Sequence, residues 1–311
     1  MKAGKNSYRP VLLIAIACML WATDSIVRFP ASLKLDYKVV VLVEHLIGLL
    51  LFGPFVVIRY GRNLFKLSAK DVVLIIILGV GGSALGGIFF THSIQFIGPS
   101  TATFFQMLQP AFVVTAAFLF LKERHSGIFF ECAIWVILNA IIIGFPNFEF
   151  GFSILNAEQL RKGVLLAFLA MTLWGAATVA GKSMLHRHLP LFVVFWRWLS
   201  AVVFLSIVIL VDRTEIPWSS FSEPAVLAPL AFLGVVTGVI AMTIYYYGLR
   251  DLPASVATFV ELLYALGGVL LPTLYFGSKL SAIQVFGAIA LVVAIHLLSQ
   301  LGTSVRINQK T

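Results

Sequence analysis

Ser100-Thr101-Ala102-Thr103-Phe104-Phe105-Gln106-Met107-Leu108 and Ser255-Val256-Ala257-Thr258-Phe259-Val260-Glu261-Leu262-Leu263 are the stretches that decide the fold. They align without a gap at an offset of 155, with five of nine positions identical and Gln106 opposite the near-isosteric Glu261. The same offset sets Leu78-Gly79-Val80 against Leu233-Gly234-Val235. Upstream the register loosens by two residues, where Trp21 meets Trp174 and His45 meets Arg197. One offset that holds across two successive apolar segments marks an internal repeat rather than chance likeness between greasy helices.

Around these stretches the chain is apolar throughout. Hydrophobic residues make up 60% of its 311 positions, charged residues 11%, and mean hydropathy is +1.01. Soluble domains are about one quarter charged, so lipid must be the solvent here. Ten apolar segments, near 10–29, 38–60, 71–93, 99–121, 127–144, 162–185, 190–211, 225–247, 253–276 and 280–301, are punctuated by Gly, Pro or charge. Each is long enough to cross about 30 Å of hydrocarbon as a helix. The period-two alternation of a membrane barrel is absent. The first segment follows Lys2, Lys5 and Arg9, as in a signal peptide, but its length and the lack of a small-residue cleavage pattern make it a spanning helix.

The expected fold is therefore an all-α membrane protein of ten transmembrane helices in two five-helix repeats, 1–145 and 161–303, with a linker over 146–160 and a tail over 304–311. Five is odd, so the second repeat enters the membrane from the opposite side, and the two halves are inverted. Inverted repeats around a mid-membrane site are a recurrent transporter plan. With the N-terminus inside, inner loops carry 14 Lys and Arg against 7 outside, which places both termini in the cytoplasm. The net charge of +9 reads as this topology and not as nucleic-acid binding. Cys18 and Cys132 read as small buried hydrophobes, with no metal spacing.

Leu20-Trp21 and Leu173-Trp174-Gly175 open the two halves alike. Phe195-Trp196-Arg197-Trp198-Leu199-Ser200-Ala201, Gly98-Pro99-Ser100-Thr101-Ala102 leading to Gln109-Pro110, and Leu121-Lys122-Glu123-Arg124 follow in order. Together they resemble the drug/metabolite transporter superfamily, in its ten-helix branch of EamA-type exporters, over almost the whole chain. The resemblance implies a small-molecule carrier, often an exporter of amino acids or related metabolites and, among nucleotide-sugar relatives, an exchanger. The chain departs from the pattern where Glu44-His45 replaces an arginine, where Ala265 stands opposite Pro110, and where Gly277-Ser278 replaces a Lys-Glu loop.

Ionisable residues within a bilayer usually face the bundle interior and mark pathways. Asp24, Glu44 and His45, in the outer part of the first half, are the proton-coupling candidates, since carboxylates and imidazole can titrate there. Asp24 and Arg28 share a helix face at i, i+4. Arg197 and Glu261 lie about 10–12 Å from the inner surface and are expected to pair. Thr103, Gln106 and Gln109, with Thr258, Glu261 and Tyr264 at the matching positions, form polar stripes suited to substrate contact. Trp21 and Trp174 fall near mid-membrane, away from the interfacial belt, and Tyr247 sits at an inner end. These residues are the candidates for substrate binding or gating, with outer and inner clusters as two alternating gates. Pro110 permits a kink, and Gly79, Gly81, Gly82, Gly86 and Gly87 permit close helix approach.

No phosphate loop, nucleophile elbow or metal-ligand set occurs, so neither an enzyme nor a cofactor is expected. The sequence reading is a secondary transporter that moves a small polar or amphipathic, amino-acid-like metabolite, outward, by alternating access. Its alternatives are an obligate exchanger or importer of a nucleotide- or sugar-like solute, and a membrane scaffold. The expected partners are a small-molecule substrate, the lipid bilayer and protons, in a monomer or homodimer of a bacterial inner membrane.

Overall fold

A computed structural model describes residues 8–145, 147–149, 156–276 and 280–302. All regular structure among them is helical. The ten helices are α1 (Arg9–Lys34), α2 (Tyr37–Tyr60), α3 (69–97), α4 (99–121), α5 (Gly127–Gly144), α6 (Ala157–Leu185), α7 (Pro190–Val211), α8 (Pro224–Asp251), α9 (254–276) and α10 (Ala282–Gly302). The ten expected segments are all present. α3 and α4 meet in a tight corner at Gly98, whose φ of +73° suits glycine, with Pro99 starting the next helix. In the second half, extended Leu252 and Pro253 make the corner between α8 and α9 without a glycine. α6 starts earlier than the linker reading allows, because Asn156 and Gln159 form a capping box ahead of Ala157. The tail, residues 150–155 of the linker, and Gly277-Ser278 lie outside the described residues.

The turns after Lys34, Gly98, Phe145 and Val211 share one face of the bundle. The turns at Glu123, His186–Leu189 and Leu252–Pro253 share the other. Exposed Leu50, Leu51, Ile58, Phe120 and Leu210 show the apolar exterior expected of a surface solvated by lipid.

An approximate twofold relates the halves. α1 packs on α8 as α6 packs on α3; α2 packs on α7 at the centre, and α5 packs on α10. Backbones touch where glycines allow it. A Cβ on Gly79 would lie 2.6 Å from the Arg197 carbonyl oxygen, and one on Gly234 would meet the Glu44 carbonyl oxygen. These matched contacts revise one sequence pairing. Glu44, not His45, is the counterpart of Arg197, at the offset of 153 that also relates Trp21 to Trp174. His45 is the counterpart of Trp198, and the two rings meet at 4.6 Å.

α3 and α8 each widen into a π-helix, at Ile76–Leu85 and Leu233–Ile240. A π-turn breaks the usual i→i−4 ladder and frees carbonyls, often at functional sites. Here one carbonyl of each π-helix takes a tryptophan. Trp21 Nε1 donates to Thr237 O at 2.9 Å, and Trp174 Nε1 donates to Gly82 O at 2.8 Å. α4 and α9 break at equivalent places too, at Met107–Leu108 and at Leu262, directly after Gln106 and Glu261. Pro110 follows the first break, whereas Ala265 stands at the equivalent place after the break in α9.

Candidate functional site

These devices surround one cavity of about 510 Å³ between the halves. It runs from Phe29, Pro30, Pro99, Ser100 and Phe145 near the Gly98 face to Thr178, Tyr245 and Glu261 at depth. Its two aromatic walls match. Trp21 meets Tyr245, and Trp174 meets Phe90, each pair at 5.0 Å between centroids and 51° between planes. Both indole N–H groups are spent on π-helix carbonyls, which holds the rings at fixed tilts.

The charged groups fall into two sets. In the first, Arg28 on α1 clasps Asp24 through Nε and Nη2, at 2.6 and 2.8 Å. The same Nη2 lies 2.8 Å from Glu44 Oε2 on α2, and Nη1 donates to Thr91 on α3 at 3.2 Å. Thr237 on α8 donates to Asp24 at 3.2 Å, which ties the second half into the network. His45 donates from Nδ1 to the Val41 carbonyl at 2.8 Å; a carbonyl can only accept, so Nδ1 carries the proton. The expected Asp24–Arg28 pair is thus formed, but Arg28 is buried with two carboxylates and does not reach out to headgroups.

The second set contradicts the expected Arg197–Glu261 pair. Arg197 donates through Nε to Ser83 at 2.7 Å and through Nη1 to Tyr246 at 2.8 Å. Glu261 accepts from Tyr245 at 2.6 Å and from Gln109 Nε2 at 2.9 Å. Tyr245 and Tyr246 are adjacent on α8 and project about 100° apart, so one hydroxyl serves each charge and the charges stay separate. Among the described residues neither Arg197 nor Glu261 forms an ion pair.

Of the sequence candidates, Trp21, Asp24, Glu44, His45, Thr103, Gln106, Gln109, Trp174, Arg197, Glu261 and Tyr264 line this single cavity. The outer and inner clusters thus both line one chamber. Tyr247 does not line it: it is 40% exposed on the other side of α8. Thr258 is buried in packing away from the cavity. Tyr245, Arg28 and Thr237 belong to the site and were missed as candidates. Tyr245 could have been found at the offset of 155 from Phe90.

At the face opposite Gly98, polar contacts close the bundle. Glu123 accepts from the backbone N–H groups of Ala254 and Ser255, at 2.8 and 3.1 Å, and from the Ser255 hydroxyl, which caps α9. Lys182 donates to the carbonyls of Leu249 and Arg250 at the end of α8. Asp71 on α3 accepts from Arg187 and His188, at 2.7 and 3.0 Å. Each contact joins one half to the other or closes a helix end.

The profile of the EamA-like transporter family matches residues 9–145 and 161–300, which is nearly the whole chain in two copies. The chain belongs to the EamA-like transporter family. It is a multi-pass integral membrane protein with the family's two-repeat architecture. It is similar to the riboflavin transporter ImpX of Fusobacterium nucleatum subsp. nucleatum, at 27% identity over 309 residues, covering 95% of this chain and 99% of that one. A solved crystal structure shares the fold at 14% identity and a TM-score of 0.75, covering 96% of this chain and 99% of the other. The function of this EamA-like protein is membrane transport.

Proposed function

We propose that the protein carries a planar heteroaromatic solute of the riboflavin type across the membrane by alternating access. The observation that carries this reading is the pair of matched aromatic walls, Trp21–Tyr245 and Trp174–Phe90, facing one cavity. Aromatic faces at fixed tilt suit a flat ring system. The volume lies within the range of about 300–1,000 Å³ typical of small-ligand sites. The Asp24–Arg28–Glu44 network on the cavity wall offers donors and acceptors for a polyol chain. Similarity to a riboflavin transporter along the full length supports the same class. Alternating access is supported by the inverted repeats, by the discontinuous α4 and α9, and by a cavity that approaches one face while contacts close the other.

A second reading is an amino-acid-like zwitterion. Arg197 and Glu261 favour it, as opposite charges that line one cavity and are not paired with each other. Outward movement fits either solute.

Proteoliposomes of known orientation, loaded with riboflavin or with a panel of amino acids, decide between them. Riboflavin counterflow above protein-free vesicles is the expected result. Counterflow of amino acids alone would replace the first reading with the second, and no flux of any solute would favour a scaffold. Flux against an imposed pH gradient then tests coupling to protons.

A further inference from the structure

The two cavity walls share a scaffold but not a chemistry. The second half presents Tyr245, Glu261 and Tyr264; the corresponding positions of the first half hold Phe90, Gln106 and Gln109. Phe90 has no hydroxyl, Gln106 bears no charge and donates to the Ala167 carbonyl, and Tyr264 donates to the Thr103 carbonyl. Around Glu261 three side chains from three helices form a row: the Tyr245 hydroxyl on α8, the Glu261 carboxylate on α9 and the Gln109 amide on α4. The row reads donor, acceptor, donor.

We propose that this row recognises an imide edge, a ring N–H flanked by two carbonyls, as carried by the pyrimidine end of a flavin. The inference rests on the flavin-type reading above and assigns the end of the ligand that enters first. A carboxylate has about four lone-pair sites, and the described residues fill two on Glu261. The remaining acceptors suit a ligand N–H. Tyr245 and Gln109, now turned onto the carboxylate, lie beside it and can swing to the flanking carbonyls. Two internal hydrogen bonds are then exchanged for three to the ligand. The ligand N–H gains a bond to a carboxylate oxygen of Glu261. Because the first half has no such row, the ligand has one preferred orientation in a nearly symmetric chamber.

The test is binding to the purified full-length protein in detergent, followed by quenching of flavin fluorescence, with riboflavin and N3-methylriboflavin as probes. The methyl group removes the N–H and leaves the ring and polyol. The wild type is expected to bind riboflavin about tenfold or more tighter than the methylated probe, the scale of one buried acceptor left unsatisfied. Glu261→Met is expected to weaken riboflavin binding and bring the two probes together. Should that variant fail to fold, Tyr245→Phe serves instead and should narrow the gap between probes. Equal binding of both probes by the wild type would overturn the imide proposal and leave the flavin reading standing. Binding of neither would overturn both. Discrimination that survives intact in the variant measured would remove the row from recognition.

Discussion

Trp21 against Tyr245 and Trp174 against Phe90 have the same separation and tilt, yet one aromatic reaches a carboxylate and the other reaches nothing polar. The comparison runs through both halves. Gly79 and Gly234 seat the same backbone contact, and the π-helices accept the same indole N–H. Main-chain geometry and small residues are thus held in common, while charge is distributed unequally. Arg28 has Gly181 at its equivalent position, where the Tyr246 ring packs instead. A rocking bundle needs matched contacts at its centre, but recognition of an asymmetric solute needs unmatched ones. Scaffold and specificity can therefore diverge within one repeat.

The largest expected effect is at the unmatched site. Arg28→Met leaves buried Glu44 and half-buried Asp24 without their cation and should destabilise the protein by about 3 kcal/mol. Thermal unfolding in detergent measures it, and an unchanged midpoint would mean that the network adds nothing to stability. A smaller effect tests the matched sites. Trp21→Phe and Trp174→Phe each remove one hydrogen bond to a π-helix carbonyl and should cost about 0.5–1.5 kcal/mol apiece. Clearly unequal losses would break the match between the two walls.

The smallest effect lies at the closed face. His125 stacks on Phe129 at 3.7 Å and bonds the Ser255 hydroxyl at 2.7 Å. Burial holds its pKa below the ordinary histidine value, so the fold favours the neutral ring. Its contribution is complete above about pH 6.5, the unfolded value, and is lost as pH falls through the lower folded value. Midpoints recorded from pH 7.5 down to pH 5 should decline less in His125→Gln than in wild type. Identical slopes would remove His125 from the pH dependence.

Much of this molecule was legible before any coordinate. Ten apolar segments of spanning length, the 155-residue offset and the in-membrane positions of Trp21, Trp174, Gln106 and Glu261 were readable, because hydropathy and period depend on local composition alone. The bend in α4 was legible from Pro110, whereas the matching bend in α9 was not, since Ala265 carries no such signal. Glu123 was visible as part of a motif, but its work as the cap of α9 requires knowing that a helix start arrives beside it.

The sequence by itself determined the helix count, the repeat and, through the odd number of spans per half, the inversion. Only the tertiary structure decided which charges meet. Arg28 takes Glu44 from the next helix, while Arg197 and Glu261 stay apart because neighbouring tyrosines on α8 separate them. Depth along a helix follows from counting residues at about 1.5 Å each. Partner choice depends on helix rotation and crossing, where one residue shifts a side chain by about 100°, and only packing sets that angle.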